Sequence, residues 1–322
     1  MVQLMLMSMI RFTMALPGST PQQQADLHSA MLEMCEYADN NGFMSVVLSE
    51  HHGAENNWTP SPILLAGMVA ARTKNVVISL SAALAPLYDP LRLAEDLAVV
   101  DLASRGRVMT VAGLGYRPSE YELLGKDFAE RGKIMDHTLE TMLAAWRDGT
   151  VTPAPYTQPH PPIFVGGESK IAARRAARFG LPFQPVAHLP ELQAYYEEQC
   201  KEYGTTPVCI MPAPDYGQVH VSEDPERDWA EIGPCFLDEA MTYAGWQTGK
   251  VSSAVHTKAS TIDELRQTGI YNILTPEECL QRIKDGKGMF SFHPLCNGIP
   301  IDKGWESLNL FVEQVLPAAS TA

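Results

Sequence analysis

Residues 75–113 read as strand, helix, strand with scarcely a residue to spare, and that succession restricts the fold more than any other feature of the chain. "NVVISLSA" is an apolar-rich run of strand character, "DPLRLAEDLAVVDLAS" carries apolar residues at helical spacing, and "RVMTVAG" returns to strand. Asp89 followed by Pro90 marks the helix start. The carboxylate can accept a hydrogen bond from a free helix N–H, and proline's missing N–H is not needed at the first helical position. Two apolar strands joined through a helix lie parallel, and parallel sheets are covered on both faces.

The same rhythm runs along the chain. Strand-like runs at residues 10–16, 44–49, 161–167, 181–187, 217–222 and 289–295 join the two above, separated by helical stretches such as 22–40, "KIMDHTLETMLAAWRDG" and "ESKIAARRAARFG". About eight strands alternating with helices predict an α/β chain folded as a (β/α)8 TIM barrel in one domain spanning 1–322. A plain barrel takes about 250 residues. The surplus is expected in residues 222–275, an irregular, partly helical insertion without a barrel strand, lying at the C-terminal face of the barrel.

Charge and cysteine usage exclude several classes. With 38 acidic against 24 basic residues and a formal charge of -14, the surface does not suit nucleic acid or an anionic membrane. Six cysteines are scattered without a C-x-x-C pair, which predicts reduced thiols, no disulfide framework and no metal. The opening "MVQLMLMSMIRFTMALPG" lacks a basic first region, and Arg11 interrupts it well short of a membrane span, so a cytoplasmic protein beginning with a buried strand is expected.

Three places carry chemistry. "VVLSEHH" runs an apolar strand into Glu50, His51 and His52, at the strand end where parallel barrels hold their active sites. Adjacent strand residues point to opposite sides, so the histidines are not joint metal ligands and one of them faces the pocket. Histidine titrates near neutral pH and suits proton transfer, with Glu50 and His52 expected at the substrate pocket. "VGGESK" places Gly166 and Gly167 before Glu168 and Ser169 at a helix start, whose free N–H groups favour an anion such as phosphate; an ordinary capped turn accounts for the same residues. "TVAGLGY" puts Gly113, Leu114, Gly115 and Tyr116 at another strand end, without the G-x-G-x-x-G fingerprint, where a flat ring or a phosphate can come close to the backbone.

Taken together, "NNGFMSVVLSEHHG", the run from residue 60 to 108, "GYRPSEYELLGKDFAERGKIMDHTLETMLAAW", "PPIFVGGESKIAARRAARFG" and "WESLNLFVEQVLP" resemble the bacterial luciferase-like monooxygenase superfamily, in family order. The resemblance implies a flavin-dependent monooxygenase that uses reduced FMN and O2 to oxidise a small organic substrate. Coenzyme F420 with hydride transfer, or a non-catalytic flavin-binding relative, are the alternatives. It implies His51 as the proton-handling residue. It also implies a non-proline cis peptide at Ser81 and Ala82 against the flavin ring, and cofactor phosphate at Gly167, Glu168 and Ser169, with Gly113, Leu114 and Tyr116 close by. A separate flavin reductase and a homodimer are implied as partners. Leu114 departs from the arginine often found there, which leaves phosphate binding to backbone amides and Ser169, with Arg117, Lys170 or Arg174 as candidate cations.

Overall fold

The computed structural model describes residues 6–247, 255 and 257–320. Nine strands form one sheet: β1 (Met7–Phe12), β2 (Ser45–Leu48), β3 (Val77–Ala83), β4 (Val108–Ala112), β5 (Ile163–Gly167), β6 (Phe183–Pro185), β7 (Gln218–Val221), β8 (Tyr271–Leu274) and β9 (Met289–Phe292). Their order is β6-β5-β4-β3-β2-β1-β9-β7-β8, and every pairing is parallel. Parallel neighbours need long crossovers, and helices supply them. These are α1 (Pro21–Asn40), α2 (Pro62–Arg72), α3 (Pro90–Ser104), α4 (Pro118–Leu123), α5 (Arg131–Arg147), α6 (Lys170–Phe179), α7 (Pro190–Tyr203), α8 (Pro225–Trp246), α9 (Ile262–Thr268) and α10 (Pro276–Lys284), and α11 (Ile301–Leu310) follows β9. The chain is of the (β/α)8 TIM-barrel class, with one strand more than the eight expected.

Local chemistry sets the helix boundaries. Asp89 accepts from the N–H of Leu91 and of Arg92, both at 3.0 Å, with Pro90 in the first turn. Thr20 and Gln23 form a reciprocal capping box on α1, as Thr275 and Glu278 do on α10. At its other end α6 stops at Gly180, whose φ of 68° is a left-handed conformation that glycine adopts without strain.

Strand alternation sorts the side chains. Ile10 and Phe12, Val46 and Leu48, Ile78 and Leu80, and Ile163 and Val165 are 0–2% exposed and pack in one apolar cluster with α1, α2, α3, α5 and α6. Each fully buried side chain of this kind stabilises the fold by about 1.5–3 kcal/mol. Their strand neighbours therefore face the other way, which turns Arg11, Ser49, Ser79, Ser81 and Ser291 toward the inside of the barrel.

Residues 222–275 differ from expectation. They hold α8, a helix of 22 residues, then α9 and a true barrel strand, β8, paired with β7 from Gln218↔Tyr271 to Val221↔Leu274. Asp224 caps α8 by accepting from Arg227 N–H at 3.1 Å. Trp229, Ile232, Phe236, Ala240 and Tyr243 recur at helical spacing and form a second apolar cluster with Ala15, Trp58, Tyr271, Ile273, Cys296 and Ile299. Those partners follow or belong to β1, β2, β8 and β9, so α8 lies across the C-terminal ends of the strands.

Candidate active site

β2 ends at Leu48, and alternation carries Ser49 and His51 inward. The His51 backbone N–H is bonded to Thr59 O at 3.2 Å, and its ring is buried among Trp58, Tyr116, Tyr243 and Trp246. The nearest of these rings, Trp246, has its centroid 4.5 Å from that of the imidazole. Trp246 and Tyr243 come from the last turns of α8, and Trp58 from the loop after β2.

A carboxylate fixes the imidazole. Nδ1 of His51 lies 2.8 Å from Oε1 of Glu120, which is fully buried on α4 and also accepts from the His52 N–H at 3.0 Å and from Arg117 Nη1 at 3.0 Å. Burial opposes the charge on Glu120, but these donors outweigh it and hold its carboxyl below the usual value. An ionised Glu120 accepts the Nδ1–H, which leaves the Nε2 lone pair facing the site, 3.3 Å from the Tyr116 hydroxyl. Burial pulls the His51 imidazole below its ordinary value, and the Glu120 hydrogen bond opposes that pull. The resting ring is neutral at pH 7 and can accept a proton at Nε2. Arg117 completes the enclosure, with its guanidinium 4.1 Å from the Trp246 ring centroid.

The other two members of the E-H-H run work elsewhere. Glu50 accepts from Leu84 N–H at 2.7 Å and from the Tyr88 hydroxyl at 2.8 Å, and His52 Nε2 lies 2.7 Å from the same carboxylate. Both were expected at the substrate pocket; the structure engages Glu50 with the segment after β3 and His52 with Glu50.

That segment follows a cis peptide between Ser81 and Ala82, as the resemblance implies. Gly113 packs on it so closely that a Cβ there would come within 2.6 Å of the Ala82 Cβ, and its N–H bonds Ala83 O at 2.8 Å. Leu114 turns its side chain onto the core and its carbonyl to the Tyr121 hydroxyl. Tyr116 joins His51, with its hydroxyl 3.3 Å from Nε2.

The segment 166–169, expected to hold phosphate, lies at the end of β5, three places from β2 in the sheet. Gly166 is required by the protein itself, since a Cβ would meet Val111 at 2.7 Å; Gly167 has a φ of 151° and lies against Ala172. Ser169 caps α6 through its Oγ, 3.2 Å from Ala172 N, and it is exposed, so an anion can reach the free N–H groups of the first turn. A capped, accessible helix start beside a glycine pair fits a phosphate group, with no cationic side chain from Leu114 to assist.

Glu120, Trp58, Trp246, Tyr243 and Arg11 were not foreseen. The carboxylate lies 69 residues from His51 in a stretch read only as a loop with a helical turn, and nothing local signals their pairing. The partly helical character of the stretch that holds α8 was visible, and so was its place at the C-terminal face, but not that its aromatic side chains enclose His51.

Residues 7–289 match the family described as Luciferase-like monooxygenase, and the chain belongs to that family. The oxygenase component of a flavin-dependent trigonelline monooxygenase from Acinetobacter baylyi is 26% identical over 58% of this chain and 57% of its own length. A limonene 1,2-monooxygenase from Rhodococcus erythropolis is 24% identical over 89% of this chain and 80% of its own. The chain thus spans little more than half of the first of these relatives. Among solved structures, monooxygenase RslO1 from Streptomyces bottropensis superposes with a TM-score of 0.78 at 22% identity, covering 97% of this chain and 99% of that one. The oxygenating constituent of 3,6-diketocamphane monooxygenase from Pseudomonas putida, in complex with FMN, gives 0.69 at 19% identity, with 97% and 98% covered. An F420-dependent secondary alcohol dehydrogenase gives 0.62 at 19%, with 98% and 99% covered. At these identities the structural likeness shows the fold.

Proposed function

We propose that the protein is a monooxygenase that uses reduced FMN and O2 to oxidise a small organic substrate. The observation that carries this reading is His51, locked by Glu120 so that Nε2 alone faces a buried, aromatic-lined site at the C-terminal ends of the strands. When bound and reduced, the flavin supplies the two electrons with which O2 gives one atom to the substrate and releases the other as water. His51 takes up and returns a proton at Nε2, and Glu120 stabilises the imidazolium while it lasts. Trp58, Tyr116, Tyr243 and Trp246 keep water from this proton exchange. Ser169 and the first N–H groups of α6 hold the phosphate.

F420 is the second reading, because a relative of similar fold uses it. Its acidic tail calls for a basic channel, and α6 offers less of one than its sequence suggests. Arg175 is buried against Asp136 at 2.5 Å, and Arg178 pairs with the same carboxylate at 3.0 Å, so two of its cations are already engaged. This favours FMN. Titrating the purified protein with reduced FMN and with reduced F420, each followed by O2 consumption, tests the choice. Saturable FMN binding with O2 uptake supports it; tight F420 binding with no response to FMN overturns it.

A separate flavin reductase as electron source and a homodimer belong to the same proposal. Leu64 and Met68 on α2, and Leu91 and Val99 on the adjoining α3, are 44–67% exposed, an apolar face of the kind a second copy covers. Among the described residues no helix is long and apolar enough to cross a membrane. A cytoplasmic location is part of the proposal.

A further inference from the structure

Below the aromatic pocket, where α8 meets the ends of β8 and β9, lies a cluster that the oxidation chemistry does not use. Glu239 sits one helical turn before Tyr243, His293 directly follows β9, and Cys296 comes three residues later. A turn closed by the Cys296 N–H on His293 O, 3.1 Å, gathers the last two. One ligand atom from each of the three residues lies within 4.8 Å of the others, and the residues are 0%, 3% and 0% exposed.

The polar atoms are half-satisfied in a specific pattern. Glu239 Oε2 accepts from the Tyr271 hydroxyl at 2.5 Å, and His293 Nε2 lies 3.4 Å from Thr13 Oγ1. Glu239 Oε1 and His293 Nδ1 face each other at 3.3 Å, yet neither makes a hydrogen bond. Glu239 is fully buried. Among the described residues no lysine or arginine nitrogen lies within ion-pair distance of it, and the Arg11 guanidinium donates to Tyr243 instead. A buried carboxylate with one oxygen unpaired is expensive, and a cation shared with His293 removes that cost.

We propose that Glu239, His293 and Cys296 bind a divalent cation of the zinc type through one oxygen, one nitrogen and one sulfur. Mixed donors of this kind suit a borderline ion such as Zn2+ or Co2+, with a fourth position left over. Tyr271 and Thr13 take the outer role that orients such ligands, holding the second carboxylate oxygen and the second ring nitrogen. Binding displaces the thiol proton of Cys296 to solvent, and the resulting thiolate and the carboxylate together balance the two charges of the ion. The ion would tie α8 to the end of β9 and so fix Tyr243 and Trp246 over His51.

The test is independent of flavin. The full chain is unfolded, refolded with Zn2+ or Co2+, freed of loose metal and measured by elemental analysis and absorption. One equivalent of metal and a thiolate-to-cobalt absorption band are expected, both lost in His293→Gln and in Cys296→Ser, with a lower Tm for the chelated wild type. Cys296→Ser preserves volume; should either variant fail to fold, the wild-type cobalt spectrum decides alone. Wild-type protein without stoichiometric metal, or a His293 ring that titrates above its ordinary value as half of a plain ion pair with Glu239, overturns the proposal. So does metal retained by both variants.

Discussion

Replacing Glu120 by glutamine isolates what the buried carboxylate contributes to His51. Oε1 accepts three hydrogen bonds, from His51, from the His52 N–H and from Arg117, and the residue is fully buried. Glutamine keeps the shape and one acceptor oxygen but removes the charge, leaving the largely buried Arg117 without its counter-ion. Removing one partner of a buried ion pair costs about 3–5 kcal/mol, and the retained acceptor places the glutamine variant at or below the lower end of that range. The effect on the imidazole has a definite sign. Glu120 is the leading influence that raises the His51 value against burial, so its neutralisation lowers that value further and makes Nε2 a weaker base. Denaturant unfolding measures the first effect, and NMR titration of the His51 ring, together with the pH dependence of O2 uptake, measures the second. An unchanged His51 titration in a folded Glu120→Gln protein would refute the assignment of Glu120 as its positioning partner.

His51→Ala is expected to cut turnover about 10²–10⁴-fold with little change in FMN affinity, and His52→Ala much less; equal losses in steady-state assays would remove the distinction. Ser169→Ala should weaken FMN binding by about 10–150-fold by deleting a hydrogen bond to a charged group, read by fluorescence titration, and no change would place the phosphate elsewhere. Acid should destabilise the fold in two stages. Burial holds His51 and His220 below the ordinary imidazole value, His220 at about 4, so below about pH 6.5 the unfolded chain binds protons that the folded one refuses, and stability falls as pH drops. His220 alone contributes about 3 kcal/mol across that window, and Glu120 and Asp228, the latter held at about 2, add a further loss below about pH 4.5. Denaturant titrations at several pH values check this; a flat profile between pH 7 and 4 would contradict it.

What the sequence made legible was what local chemistry decides. Eight of the nine strands showed as apolar runs, and α3 began where Asp89 and Pro90 place it. β8 escaped because "YNIL" offers four residues behind Gly269, next to a helical stretch, with too few alternations to favour either period. α8 read as irregular because Gly233 and Pro234 fall inside it, yet its apolar stripe buries well enough to carry them. His51 was legible because it ends a strand; the carboxylate that orients it was not, since only the fold brings α4 to β2. Gly166 and Gly167 were seen as room for a ligand, and Gly166 proves to be room for Val111.

The pairing of β1 with β9 sets a timetable for the nascent chain. Met7 and Met289 are register partners, so β1 has one of its two neighbours some 280 residues further along the chain. Until some 280 further residues emerge, β1 presents a row of unpaired N–H and C=O groups, the kind of edge that invites wrong partners. The contact of Thr13 with His293 spans 280 residues, so this part of the site cannot form before β9 has been made. A ribosome stalled after β7 would hold His51 and Glu120 together but neither β9 nor the floor beneath them.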